Sequence, residues 1–144
     1  MVINGNMGRK RKNFSKKYIY DKFYLTFDIY KHKVAYFKIR FNYETDSEEL
    51  PNTSKLKKEL ELLFRKEFQY LERSRHILEV EMVEKLSTKT ARCSLNGYFL
   101  KFDDYEEFII AHTENLMEKV EVLFEKNNLK LKLPKGQNNR TKTY

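Results

Sequence analysis

Tryptophan is absent from this chain, cysteine occurs once, proline twice and glycine four times in 144 residues. The lone Cys93 excludes an internal disulfide, and a reducing compartment, taken as the cytoplasm, fits that usage. So few glycines leave no G-x-x-x-x-G-K-[ST] loop to cradle a nucleotide's phosphates. No apolar run approaches the roughly 18 residues of a membrane span, so no membrane partner is expected. The opening MVINGNMGRKRKNFSKK has cations without an apolar stretch behind them and does not read as a secretory signal. Enzyme signatures are also missing. His32, His76 and His112 form neither H-x-x-x-H nor H-x-E, and with one cysteine they make no zinc set. Neither Asp-x-Lys nor Glu-x-Lys occurs, the pairing a metal-dependent nuclease commonly uses to hold Mg²⁺ and steady the attacking water. Catalytic residues, metal ligands and cofactors are therefore all read as none. A metal-dependent nuclease stays as an alternative, with Glu79, Glu81, Asp103 and Asp104 as its only candidate acids.

Acids are absent from both ends of the chain. Arg9, Lys10, Arg11, Lys12, Lys16 and Lys17 give residues 1–17 a charge of +6, and Lys130, Lys132, Lys135, Arg140 and Lys142 give residues 130–144 a charge of +5. The total is +8, so the middle carries −3. Clustered cations make a polyanion-seeking field. Residues 1–17 read as a basic disordered arm, 18–133 as a single α+β domain and 134–144 as a basic tail.

The middle is patterned. Residues 18–30 alternate, with Phe23, Leu25, Phe27 and Ile29 on one face and Tyr20, Tyr24, Thr26 and Tyr30 on the other. Residues 34–43 form the second strand of a hairpin, with Ala35, Phe37, Ile39 and Phe41 inward and Tyr36, Lys38 and Arg40 outward. A helix is predicted over 54–75, capped by Thr53 or Ser54, with Leu56, Leu60, Leu63, Phe64, Phe68 and Leu71 inward. Residues 77–86 form a strand with Leu78, Val80 and Met82 inward. Asn96-Gly97 predicts a tight hairpin between TARCSL and YFLKF. Asp103 and Asp104 open a second helix by capping and dipole complementarity, and Asn127-Asn128 ends it. LKLKL at 129–133 reads as a last strand. The element order ββα-βββα-β predicts an antiparallel sheet with two amphipathic helices on one face and flexible basic termini, the α+β class. An echo between 56–68 and 116–128 is what two such helices on one sheet produce.

Tyr36, Lys38 and Arg40, with Tyr24, set rings beside cations on an outward sheet face. Bases stack on tyrosine while Lys and Arg hold phosphates. AYFKIRF resembles the aromatic-rich strand of RNA-recognition sheets, without that motif's glycines and in a different element order. The candidate nucleic-acid residues are thus Arg9, Lys10, Arg11, Lys12, Lys16, Lys17, Tyr24, Tyr36, Lys38, Arg40, Lys130, Lys132, Lys135 and Arg140. Acids in the 44–49 loop, on strand 77–86 and along the second helix make the body two-signed, which suits a protein–nucleic-acid assembly. The expected function is a small non-catalytic protein that binds nucleic acid or a ribonucleoprotein. In size, composition, basic arm and missing enzyme motifs it resembles small phage or mobile-element proteins that block defence machinery, anti-CRISPR proteins among them. That likeness covers no aligned segment. The second alternative is a protein-interaction module, a homodimer pairing through strand 18–30 with solubilising tails.

Overall fold

Alternating apolar residues line one side of the central strands, and that side receives the helices. The structure, a computed structural model, describes residues 12–31, 34–73, 78–136 and 142–143. Its elements are β1 (Lys12–Ile19), β2 (Tyr24–Tyr30), β3 (Ala35–Thr45), α1 (Thr53–Glu67), α2 (Gln69–Arg73), β4 (Leu78–Lys85), β5 (Thr90–Phe99), α3 (Phe102–Lys126), β6 (Leu129–Lys132) and β7 (Lys142–Thr143). The strands make one antiparallel sheet in the order β4-β5-β3-β2-β1-β7, with β6 paired to β3. β3 organises it. Residues 35–40 pair with β2, residues 42–45 pair with β6, and β5 accompanies the strand from Ala35 to Glu44. The fold is α+β, as the clustering of strands before each long helix implies.

The core lies between sheet and helices. Leu25, Phe27 and Ile29 of β2, Phe37, Ile39 and Phe41 of β3, and Cys93, Leu95 and Phe99 of β5 are all buried. Phe37 meets Phe64 of α1 and the following Phe68, Phe41 meets Phe124 of α3, and Phe27 meets Phe102. Burying each ring contributes about 1.5–3 kcal/mol. The echo between the helices aligns buried positions with buried positions: Leu56 with Leu116, Leu60 with Val120, Phe64 with Phe124. Both helices meet the same sheet at the same 3.6-residue spacing. Cys93 lies inward, and burial raises its thiol well above the ordinary range.

Several boundaries differ from the sequence expectation. The run 18–30 is not one strand. It folds back at Asp21 and Lys22, so that Ile19 pairs with Tyr24 and Tyr18 with Leu25. The arm expected to lack structure through residue 17 is strand from Lys12 onward, and the tail returns as β7 opposite Lys16 and Lys17. Asn96-Gly97 makes no turn, because β5 runs straight through it. Gly97 has no positive φ; its missing side chain matters because a Cβ there would sit 2.1 Å from Cε1 of Phe37. The first helix stops at Glu67 and a short α2 follows. Its cap is Asn52, whose Oδ1 accepts from the Ser54 backbone N–H at 2.8 Å. α3 has no side-chain cap, and Lys101 precedes it in the left-handed region at φ 58°. Asp103 and Asp104, in the first turn, complement the dipole at its N-terminus. Asn128 takes φ 59° after the helix end, a conformation asparagine tolerates.

Candidate nucleic-acid interface

Registers across β2, β3 and β5 place the outward side chains in rows on the face turned away from the helices. Asp28, Tyr36 and Tyr98 form one row; Thr26, Lys38 and Asn96 the next; Tyr24, Arg40 and Ser94 the third; Lys132, Asn42 and Arg92 the last. Tyr36 and Tyr98 lie 5.1 Å apart between ring centroids, and Tyr30 meets Tyr36 edge-on at 5.6 Å. Tyr36 is 50% exposed. Lys38, Arg40 and Arg92 make no ion pair or side-chain hydrogen bond with any described residue. From Tyr36 to Asn42 the strand advances about 20 Å. One face of β3 thus carries rings at one end and unpaired cations toward the other.

Cations on the helix side are placed differently. Lys16 donates to Glu106 at 2.8 Å and lies over the Phe102 ring, and the Tyr18 hydroxyl donates to the same carboxylate at 2.7 Å. Tyr20 donates to Glu114, and Lys22 pairs with Glu121. Burial first, and the Glu114 hydrogen bond second, raise the Tyr20 hydroxyl above its ordinary value. Three acids of α3 thus anchor the β1–β2 hairpin. Glu67, with a side chain 5% exposed, accepts from Asn115 and Lys119 and bonds the His112 ring. Burial pushes its carboxyl up, but those three hydrogen bonds together outweigh it and hold the group below the ordinary range. His112 is therefore a half-exposed structural histidine.

The remaining expected residues are scattered. Tyr24 is buried, with Lys17 over its ring at 4.3 Å, so it offers no open stacking surface. Lys130 pairs with Asp46 at 3.5 Å and Lys132 with Glu44 at 3.3 Å, exposed pairs of small energetic weight. Lys135 follows β6 in an exposed turn. Arg9, Lys10, Arg11, Arg140, His32 and His76 lie outside the described residues, and of Lys12 the backbone alone is described. That backbone pairs with Tyr30, so the basic run joins the sheet at its tyrosine end. The strand expected to pair a homodimer has no open edge at β2, which is flanked by β1 and β3. Among the candidate nuclease acids, Glu79 and Glu81 face outward on β4 while Asp103 and Asp104 open α3. No three metal-ligating side chains cluster among the described residues.

Tyr98, Asn42 and Arg92 were not among the expected site residues. A signal for them existed. Ala91, Cys93, Leu95, Gly97 and Phe99 hold one phase across Asn96-Gly97, whereas a two-residue hairpin would reverse it. Comparison with protein-family models, with curated proteins and with solved structures finds no match for this chain. No helix among the described residues is long and apolar enough to cross a membrane.

Proposed function

We propose that this chain is a small non-catalytic protein that binds nucleic acid, or a protein–nucleic-acid complex, on the sheet face turned away from its helices. One observation carries the reading: Lys38, Arg40 and Arg92 stay unpaired among the described residues on the face that also presents Tyr30, Tyr36 and Tyr98. Stacked bases and salt-dependent phosphate contacts are the chemistry such a face offers. The cations before Lys12 in the chain add charge for phosphate contacts. Within this reading the protein comes from a phage or mobile element, acts in the cytoplasm and inhibits a nucleic-acid-processing defence complex in the manner of anti-CRISPR proteins. Size, a richness in Lys, Asn, Tyr, Phe and Ile of the kind AT-rich coding produces, and the missing enzyme motifs support that role.

The test is binding of the full chain to fluorescent single- and double-stranded RNA and DNA across a salt series. Single strands are expected to bind with a steep salt slope. Tyr36→Ala is expected to cost about 1–3 kcal/mol of binding, the worth of one stacked base. Failure of every nucleic acid to bind at physiological salt, or wild-type binding by the Tyr36, Lys38 and Arg40 variants together, overturns the reading.

A protein-interaction module is the second reading, and one observation favours it. Leu62 and Val122 are 69% and 51% exposed in a groove between α1 and α3 that also carries Glu59, Lys66, Glu118 and Lys126. Acids and lysines at both ends suit a second copy of this chain. A dimer mass in light scattering that Leu62→Glu abolishes is the expected result, and a monomer at high concentration removes this reading.

A further inference from the structure

The far end of the same sheet face holds a second feature. Where β3, β5 and the turn after β6 meet lies a cavity of about 320 Å³, lined by Asn42, Ser87, Thr90, Arg92, Pro134 and Lys135 among others. Asn42 is 8% exposed, and its Oδ1 is shielded from solvent without a hydrogen-bond partner among the described residues. Nε of Arg92 is in the same condition. Folded proteins seldom leave such groups unpaired, because each gives up water and gains nothing in return. Lys132 and Arg92 flank Asn42 in one cross-strand row, Lys135 lines the cavity, and no described acid lines it.

We propose that this cavity binds the phosphate of a nucleoside monophosphate, with Asn42 reading a hydroxyl or N–H of the same nucleotide. A guanidinium beside an ammonium matches a phosphate dianion by charge and by hydrogen-bond geometry. The amide oxygen of Asn42 accepts only from a donor, and the dianion of a phosphate monoester has none on its phosphate. A bound ester must therefore carry a hydroxyl or amino group close to its phosphate, as a nucleotide does, whereas inorganic phosphate has only the single O–H of hydrogenphosphate to offer there. Two sources supply that chemistry: a free mononucleotide, or the phosphorylated end of a strand lying on the face described above. The second source rests on the strand-binding reading; the first does not.

Calorimetric titration of the full chain with adenosine 5′-monophosphate, adenosine and inorganic phosphate tests it. The monophosphate is expected to bind about tenfold more tightly than either control. Arg92→Gln and Lys135→Gln should each weaken it about tenfold. Lys135 sits in an exposed turn, so its variant keeps the fold, as circular dichroism will show. Equal binding of all three compounds, no binding at millimolar monophosphate, or wild-type affinity in both variants overturns the proposal. A 5′-phosphorylated oligoribonucleotide that displaces the monophosphate better than its 5′-hydroxyl twin assigns the pocket to a strand end. Equal behaviour of the twins, with the monophosphate still bound, assigns it to a free nucleotide. Tyr36→Ser separates the two ideas: it should weaken oligonucleotides and leave the monophosphate unchanged. Monophosphate binding with no oligonucleotide binding removes the strand reading alone, and the converse removes the pocket alone.

Discussion

On the helix side of the sheet Lys16 meets Glu106 and Lys22 meets Glu121, while on the other side Lys38, Arg40 and Arg92 meet no described acid. The same chain, with acids to spare on β4 and α3, neutralises one set and leaves the other. Lys16, with its side chain 20% exposed, gives up much of its water and gains a carboxylate in return, while the pair of the 45% exposed Lys22 is a surface one. On the outward face Lys38 stays partly exposed, whereas Nε of Arg40 and Nε of Arg92 are shielded from solvent and find no partner among the described residues. Their clustering beside tyrosines is what a polyanion would use.

The largest break in this comparison is a core one. Phe37→Ala is expected to cost about 3–5 kcal/mol in denaturant unfolding. Its chain neighbour Tyr36, half exposed on the other face, should cost under about 1 kcal/mol when cut to alanine. Similar losses for the two would mean that the faces do not differ as described.

Gly97→Ala comes next. Alanine in an extended strand would ordinarily stabilise, but this Cβ falls 2.1 Å from the buried Phe37 ring. A loss of about 1–3 kcal/mol in urea unfolding is expected, and a gain would show that the ring has room to move.

Acid sharpens the helix side further. The lowered Glu67 carboxyl means the folded state binds fewer protons there than the unfolded chain. Its contribution is therefore complete above the ordinary glutamate value of about 4.3 and is lost as pH falls through the lowered one. Glu67→Gln should reduce stability at neutral pH and flatten the stability profile in that acidic window. A profile parallel to wild type would remove Glu67 as the cause.

The smallest effects separate the two sets of lysines. Lys16→Gln should cost about 1 kcal/mol of stability and leave the salt slope of nucleic-acid binding unchanged. Lys38→Gln should leave stability within about 0.5 kcal/mol and lower that slope by about one. The reverse pattern would mean that the phosphate contacts lie on the helix side.

Most of the sheet was legible before any coordinates. Ala35, Phe37, Ile39 and Phe41 alternate without fault, and all four are buried. Leu60, Phe64, Val120 and Phe124 recur at helical spacing and are buried too. Asn96-Gly97 misled because Asn-Gly reports tolerance of positive φ, and here glycine serves only as space for a ring from another strand. The hairpin at Asp21 and Lys22 was hidden because inward Tyr18 and outward Tyr24 are both tyrosines, so the phase reversal between β1 and β2 was masked. Site residues were half legible: Tyr36, Lys38 and Arg40 follow from alternation, but Arg92 joins them only across a strand pair.

By itself the sequence determined which side chains turn inward, because the two-residue period of a strand and the 3.6-residue period of a helix are local geometry. It also determined the basic ends and the lack of familiar catalytic motifs. Tertiary structure alone decided which cations find acids. Lys16 and Glu106 are 90 residues apart, and Asn42 shares a row with Arg92 and Lys132 only because β3 lies between β5 and β6. Strand order, a property of the packing, left Lys38, Arg40 and Arg92 without an acid among the described residues.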